Sequence, residues 1–297
     1  MPDAATTAVE STATLTPDIS IATRTEPLAT SCLAGVKISI VTPTLDSAVV
    51  LTTALQSVLA QSHPSVQHII VDGGSSDGTL ALVEAMRPAY EARGYELTVV
   101  PGPDNGLYDA MNKGLRAATG DVIGILGSDD FLSLPSALEL ISDRLEADPE
   151  LDAVYADIDY VCRHDTSTVV RTYSSAPFRR PMMLFGFQPP HPTVYCRRRV
   201  YDRVGEYDAR YVNAGDFDFI LRAIFKHRIT TAHIPQRLVT MRTGGTSDRS
   251  VFSHLTGLWE HQLAYIRCRV PSCIILDSAQ LLYKLFQVRP RWRRRSL

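Results

Sequence analysis

Short β-branched runs alternate with longer amphipathic segments between residues 36 and 126 of this 297-residue chain. The run at residues 36–42 (VKISIVT) predicts a strand, and residues 47–61 predict a helix because their apolar side chains recur on one helical face. The same alternation predicts further strands at 67–72, 95–100 and 121–126 and further helices at 79–93 and 107–119. Elements in this order predict an α/β fold with a mostly parallel sheet covered by helices on both faces.

The regular alternation ends after residue 152, where the strand-like segments are separated by irregular stretches and short helices. These segments lie at residues 153–161, 168–173, 193–197, 230–235 and 238–242. By analogy with other α/β chains, a mixed half of this kind completes the sheet and builds the second side of a binding site. We therefore expect a mixed C-terminal half.

Four loops follow the predicted strands, and each is acidic or rich in glycine. They cover residues 43–46, 72–78, 103–106 and 127–130. Ligands of open parallel sheets bind outside the carboxyl ends of the strands, so these loops predict one site for a charged, polyhydroxylated ligand. The loop after the first strand is not a glycine turn and residues 72–78 do not form G-x-G-x-x-G, which disfavours dinucleotide binding.

Two adjacent carboxylates, Asp129 and Asp130, follow the apolar strand at residues 121–126. Their repulsion is relieved when a hard divalent cation lies between them and a phosphate. Mg²⁺ or Mn²⁺ needs only one or two protein carboxylates when phosphate oxygens complete its shell, so this pair is sufficient. The alternative is that the two residues only cap a following helix, and the pattern alone leaves both interpretations open.

Charge and cysteine content exclude several classes of protein. A net charge of −2 lacks the broad positive field of a nucleic-acid-binding protein, so we expect no nucleic-acid partner. The five cysteines are scattered and never form C-x-x-C, which argues against a disulfide framework and against a thiolate zinc site. A reducing cytoplasmic location fits this cysteine usage.

The two ends of the chain differ in composition from the middle. Residues 1–34 are rich in Thr, Ala and Ser and predict a disordered tail rather than a secretory signal. Residues 249–297 predict C-terminal helices followed by the basic run 289–295 (RPRWRRR). This run predicts peripheral attachment to the anionic inner face of the cell membrane, and the alternative is a solvated terminal charge run.

Seven motifs in a fixed order resemble glycosyltransferase family 2, in the branch that builds bacterial cell-envelope glycans and glycolipids. The motifs are ISIVTPTLD, HIIVDGGSSDGT, PDNGLYDAMNKGL, GDVIGILGSDD, HPTVYCRR, VGEYDARY and AGDFDFILR. The resemblance covers about residues 37–247 and implies a GT-A fold over 35–248, with a nucleotide-binding half at 35–131 and an acceptor half at 132–248. It also implies inverting transfer of a sugar from a UDP- or GDP-linked donor to a glycan or lipid-linked acceptor, with Mn²⁺ or Mg²⁺.

The resemblance implies donor contacts for residues of the four loops. They are Thr42, Pro43 and Thr44 beside the base, Asp72 hydrogen-bonded to the base, Asp104 and Lys113 closing the pocket, and Asp129 at the ribose or diphosphate. Asp130 is implied as the ligand of the cation. Ser128 stands where the family commonly has the first acidic residue of its D-x-D motif, a departure that bears on metal affinity more than on fold.

Asp216 matches the position of the family's catalytic base. Inversion by direct displacement needs a carboxylate that takes the proton of the attacking hydroxyl. Asp218 is the competing candidate, and the alternative for either carboxylate is an ion pair with Arg222, which follows Asp218 at helical spacing.

Two further residues are expected on the acceptor and diphosphate side of the site. His191 resembles a histidine near the family's acceptor pocket, against the alternative of a structural histidine. Arg242 precedes the glycine-rich segment 243–247, which resembles a loop that closes over the diphosphate and is otherwise an ordinary turn.

Other functions stay open at this point. A nucleotide-sugar binding module without transfer activity would use the same fold, but it would not need both Asp130 and Asp216. A nucleotidyltransferase would need a basic, glycine-rich phosphate loop after the first strand, and residues 43–47 contain neither Lys nor Arg. A hydrolase with paired carboxylates is the least favoured alternative because it needs no nucleotide pocket.

Overall fold

The computed structural model describes residues 35–244, 251–272 and 276, and for residues 251–255 it describes the backbone alone. The predicted tail at 1–34, the segment 245–250 and the basic run at 289–295 therefore lie outside the described residues. The strands are β1 Ile38–Thr44, β2 Val66–Asp72, β3 Glu96–Pro101, β4 Val122–Ile125, β5 Phe131–Leu132, β6 Ala153–Cys162, β7 Asp165–Tyr173, β8 Tyr195–Arg197 and β9 Thr231–Arg242. The α-helices are α1 Ala48–Leu59, α2 Thr79–Arg93, α3 Leu107–Ala117, α4 Ala137–Glu146, α5 Arg198–Val204, α6 Gly215–Ile220 and α7 Val251–Cys268.

The described strands form one nine-stranded sheet. Their order is β3-β2-β1-β4-β8-β6-β9-β5, with β7 paired to β6. The strands β3, β2, β1 and β4 are parallel, as the alternation of strands and helices predicts. The strand β8 is antiparallel to both β4 and β6, whereas β9 runs parallel to β6. The second half is therefore mixed, and it extends the sheet instead of forming a separate one.

The two faces of the sheet carry separate apolar cores, because successive side chains of a strand point to opposite faces. Ile38 and Ile40 of β1 pack with Leu51 and Leu55 of α1. Val41 points to the opposite face, in the core that also holds α3 and α6. None of the helices in the described residues is long and apolar enough to cross a membrane.

Two elements that follow Asp130 differ from the prediction. The strands expected at 230–235 and 238–242 are one strand, β9, whose register against β6 shifts between the pairs Ala156–Ile234 and Asp157–Arg237. The interruption is a bulge that contains Pro235, which has no backbone N–H to donate to a ladder. The helix α4 was not predicted, and β5 lies between it and Asp130.

A buried polar chain links β1, β2 and α2 beneath the edge of the sheet. His68 contacts the hydroxyl of Thr42 at 3.0 Å through Nε2 and the hydroxyl of Tyr90 at 2.8 Å through Nδ1. Tyr90 in turn donates to the carbonyl of Leu55 at 2.8 Å. The side chain of Thr42 is thus fully buried in the core, which leaves its backbone as the part that can border a nucleotide base.

Burial lowers the pKa of His68 to about 3, from an ordinary value of 6.5. The unfolded chain therefore binds more protons than the folded one between these values, and the free energy of unfolding falls as the pH falls through that window. At pH 4.5 the loss due to His68 is about 2–3 kcal/mol relative to pH 7.

Urea unfolding at pH 7 and pH 4.5 measures this loss. We expect His68→Gln to lose about 2–3 kcal/mol less than the wild type between the two pH values. His164→Gln, at an exposed histidine, serves as the control and should lose as much as the wild type. An equal loss in wild type and His68→Gln would show that His68 is protonated in the folded protein.

Candidate active site

The carboxyl ends of three parallel strands meet at one edge of the sheet. Thr44 of β1 pairs in register with Asp72 of β2, and Asp72 pairs with Pro101 of β3. The backbone continues this link beyond the strands, because Gly73 N–H donates to the carbonyl of Thr44 at 2.9 Å. The loops that the sequence singled out therefore do lie side by side.

Asp72 is fully buried at this edge, and its two carboxylate oxygens have different surroundings. Oδ2 accepts the backbone N–H groups of Gly74 at 3.0 Å and Ser75 at 2.9 Å. Oδ1 has no hydrogen-bond partner among the described residues, and neither does the buried hydroxyl of Thr44. Buried polar atoms without partners are costly, so this strand end fits a ligand with hydrogen-bonding edges, such as a nucleotide base.

Asp104 closes over the end of β2 because residue 73 is a glycine. A Cβ at Gly73 would lie 2.6 Å from Oδ2 of Asp104. The Asp104 loop is held from below by Lys113, whose ammonium donates to the carbonyl of Pro103 at 2.6 Å. Lys113 therefore supports the loop through its backbone, while Asp104 is the side chain that borders the strand end.

The acidic pair after β4 is packed tightly around a second glycine. A Cβ at Gly127 would lie 2.6 Å from Oδ2 of Asp130 and 3.4 Å from Oδ1 of Asp129. Asp130 is buried, and its Oδ1 has no hydrogen-bond partner among the described residues. Burial, followed by the charge of Asp129, raises the pKa of Asp130 well above its usual value.

The helix-capping alternative for this pair is wrong. The next helix begins at Ala137 with Ser136 at its N-cap, and β5 separates it from Asp130. The pair therefore has no capping role that would explain two buried carboxylates.

Arg242 holds the backbone of this loop. Its Nη1 donates to the carbonyl of Asp129 at 2.6 Å, and its Nη2 donates to the hydroxyl of Thr53 at 2.8 Å. Only 8% of Arg242 is exposed. Arg242 thus braces the acidic loop from β9, and its contact with a diphosphate stays a prediction.

A divalent cation fits the acidic pair only if a ligand completes its shell. The described residues contain no group of three or more His, Cys, Asp or Glu side chains that could hold a metal ion. The unpartnered oxygen of Asp130 and the neighbouring Asp129 offer the one or two carboxylates that Mg²⁺ or Mn²⁺ takes beside phosphate oxygens. The donor set therefore fits a cation that is shared with a phosphate ligand.

Asp216 and Asp218 face different surroundings at the start of α6. Asp218 is buried and accepts from Nε of Arg222 at 2.8 Å, so the ion-pair alternative is correct for this carboxylate. Asp216 is half-buried and, among the described residues, accepts from two neutral donors, the Tyr108 hydroxyl at 3.3 Å and Nε2 of Gln188 at 3.1 Å. Asp216 is therefore the carboxylate left available to accept a proton.

His191 lies in a cluster of aromatic side chains that packs next to Asp216. Its Nε2 lies 2.8 Å from the hydroxyl of Tyr207, and burial lowers the pKa of His191 although the charge of Asp216 opposes this shift. Tyr207 stacks on Tyr108, with ring centroids 6.1 Å apart. A neutral His191 thus connects to Asp216 through two tyrosines and shapes the site from beneath.

Glu260 positions the entrance to α6, and the sequence reasoning missed it. This buried carboxylate of α7 accepts three consecutive backbone N–H groups, from Val212 at 2.9 Å and from Asn213 and Ala214 at 2.8 Å. These residues lead directly into α6, so Glu260 fixes the backbone from which Asp216 projects. In the sequence, Glu260 is simply the first residue of a short polar run between apolar neighbours, which gives no sign of this role.

The sequence profile described as "Glycosyl transferase family 2" matches residues 39–205 of this chain. A PGL/p-HBAD biosynthesis glycosyltransferase of Mycobacterium bovis is 31% identical over 202 residues, which make up 68% of this chain and 75% of that protein. Asp216, Arg242 and Glu260 lie beyond the part that the family profile matches.

Two solved structures share the fold of this chain. S. aureus TarS 1–349 in complex with UDP-GlcNAc has a TM-score of 0.61 at 16% identity, covering 77% of this chain and 66% of that one. Mannosyltransferase PcManGT from Pyrobaculum calidifontis, in complex with GDP-Man and Mn²⁺, has a TM-score of 0.55 at 16% identity, covering 85% of this chain and 80% of that one. The likeness confirms the GT-A α/β fold, and this chain spans about two thirds of the TarS fragment.

Removing the charge of Asp130 should stabilise the protein when divalent cations are absent. In the presence of a chelator, we expect Asp130→Asn to raise the free energy of unfolding by at least about 1 kcal/mol, because a buried carboxylate next to Asp129 is unfavourable. Urea unfolding measures the change, with the exposed Asp143→Asn as a control that shifts by less than about 0.5 kcal/mol. A less stable Asp130→Asn protein would contradict the stated repulsion.

Replacing Glu260 should loosen the entrance to α6. We expect Glu260→Gln to lower the free energy of unfolding by about 2–3 kcal/mol, because the new NH₂ group faces backbone N–H donors that lose a charged acceptor. Glu84→Gln removes a carboxylate from an exposed ion pair with Arg87 and should cost clearly less than Glu260→Gln in the same urea experiment. If both variants lowered the free energy of unfolding by the same amount, Glu260 would have no special role in holding the start of α6.

Proposed function

We propose that this chain, which belongs to glycosyltransferase family 2 and is a glycosyltransferase, transfers a sugar from a nucleoside diphosphate donor with inversion at the anomeric carbon. One observation carries the proposal. A carboxylate with no cationic partner among the described residues, Asp216, contacts the start of α3, and α3 follows the loop that borders the acidic edge of the sheet. A base and a diphosphate site at one edge are what a direct displacement needs.

The donor is proposed to lie across the ends of β1, β2 and β4. The unpartnered oxygen of Asp72 accepts from the base, Asp104 closes the pocket above it, and the backbone of residues 42–44 borders it. Asp129 meets the ribose or diphosphate. Two proteins of the same fold were solved with UDP-GlcNAc and with GDP-Man and Mn²⁺, which supports a UDP- or GDP-linked donor here.

Asp130 and Asp129 are proposed to hold Mn²⁺ or Mg²⁺ together with the donor diphosphate. When bound, the cation balances the negative charge that develops on the departing nucleoside diphosphate. Arg242 keeps this loop in place through the carbonyl of Asp129. The protein thus contributes a preorganised acidic loop that needs a cation before an anionic donor can approach it.

Asp216 is proposed to act as the general base. It takes the proton of the acceptor hydroxyl while that oxygen forms its bond to the anomeric carbon and the bond to the diphosphate breaks. Gln188 and Tyr108 orient the carboxylate by donating to its two oxygens. Glu260 holds the backbone beneath it, and Asp218 has no share in the step because Arg222 occupies it.

The acceptor is proposed to be a hydroxyl of a cell-envelope glycan or glycolipid. The mycobacterial relative is named for PGL/p-HBAD biosynthesis, and the motifs resemble the branch that builds such products. Peripheral attachment through the basic run at 289–295 belongs to the same proposal, because a lipid-linked acceptor would lie at the cytoplasmic membrane surface.

Asp216→Asn tests the proposal. With Mn²⁺ and water as the slow acceptor, we expect the wild type to release nucleoside diphosphate from UDP-GlcNAc or GDP-Man. The variant should release it at least about 100-fold more slowly because the base is lost. Its affinity for UDP or GDP should stay within about two-fold, since Asp216 makes no proposed donor contact.

Asp202→Asn, at an exposed aspartate, is the matched control and should release nucleoside diphosphate at the wild-type rate. Release by Asp216→Asn at that same rate would show that Asp216 is not the base. Binding of a nucleotide sugar without any release by the wild type would favour the alternative of a binding module.

A further inference from the structure

A second cleft opens on the face of the sheet that carries α6, away from the acidic edge. Its volume is about 370 Å³, within the range of small-molecule sites. Its wall includes Tyr155 and Phe178, and its rim carries Arg179, Arg180 and Arg228. None of the residues assigned to the donor, the cation or the base lines it.

The cleft lies at the far end of the helix that begins beside Asp216. The helix α6 continues into a π-helical segment, Leu221–Lys226, and Ile224 of this segment lines the cleft. Ile224 follows Asp216 by eight residues, which is about 12 Å of helix. The cleft is therefore separate from the site of the proposed transfer reaction.

The rim is positive and carries no compensating carboxylate. Within residues 35–244, 251–272 and 276, no Asp or Glu pairs with Arg179, Arg180 or Arg228. Arg180 contacts the carbonyl of Phe225 at 3.1 Å and stacks over its ring at 4.7 Å, while its buried Nε has no partner there. Arg228 is exposed and has no hydrogen-bond partner in the same residues. Guanidinium groups placed in this way are suited to a phosphate.

The wall is aromatic and offers one further polar atom. Tyr155 is only 7% exposed, and its hydroxyl has no hydrogen-bond partner among the described residues. Its ring meets Phe178 edge to face, with centroids 5.6 Å apart. Tyr155 lines the cleft, so its hydroxyl is open to a hydrogen bond with a bound ligand. A ligand with an anionic head and an apolar body would satisfy the rim, the hydroxyl and the wall together.

We propose that this cleft binds an organic phosphate whose phosphate group lies among Arg179, Arg180 and Arg228 and whose apolar body packs on Tyr155 and Phe178. Binding here is independent of the proposed transfer reaction. It needs neither the acidic pair nor a cation, so it persists if the proposed function fails.

Phenyl phosphate is a suitable probe, because it combines one phosphate with one aromatic ring. Isothermal titration of the full-length chain in a chelator keeps the acidic edge free of cations, and Asp129 and Asp130 then repel anions. We expect saturable binding of phenyl phosphate, binding of inorganic phosphate at least about five-fold weaker, and no binding of benzyl alcohol. The phenyl ring of the probe buries apolar surface against the aromatic wall, which inorganic phosphate cannot do. The guanidinium groups bind an anionic phosphate, which benzyl alcohol lacks.

Two variants and one control locate the binding. Arg228→Gln should weaken phenyl phosphate binding about ten-fold, and Tyr155→Phe should weaken it about three-fold without changing the fold around the ring. Arg210→Gln removes an equally positive, 74% exposed side chain elsewhere and should leave binding unchanged. Absence of saturable binding, or equal weakening by Arg228→Gln and Arg210→Gln, would overturn the proposal.

Discussion

The acidic loop after β4 is the constraint on which the site depends. Asp130 is buried beside Asp129, and two carboxylates in such a place repel each other and lose hydration. The loop keeps this arrangement because Gly127 leaves room for both carboxylates and Arg242 binds the carbonyl of Asp129. An edge with this charge disfavours a bare anionic donor, and the same charge favours a cation that arrives with the diphosphate.

Several charged side chains of the second half bind backbone groups that are distant in the chain. Glu260 collects the N–H groups of residues 212–214, and Arg198 donates to the carbonyls of Ala118 and Gly120. The first interaction fixes the segment that leads into α6, and the second fixes the turn between α3 and β4. Asp216 is thereby oriented by α7, which follows the last strand of the sheet and lies outside the residues that the family profile matches.

Local patterns predicted the parallel half of the fold well, because each strand and helix there has its own period and its own core. The helix α2 begins and ends where the pattern placed it. The bulge in β9 was missed because Pro235 reads as the end of a strand, whereas pairing with β6 carries the strand past it. The hydrogen-bond partners of Thr42, Arg242 and Glu260 could not be predicted from the sequence, since these partners are distant in the chain and depend on how the sheet is assembled.

Nucleotide binding with and without a cation tests the central claim most directly. Thermal unfolding would be followed with UDP or GDP, each with and without Mn²⁺, for the wild type and Asp130→Ala. The account predicts that one nucleotide stabilises the wild type only with Mn²⁺, by about 2.7 kcal/mol at a hundred-fold excess over Kd, and that the variant loses this effect. Stabilisation that needs no cation, or that survives in Asp130→Ala, would contradict the account.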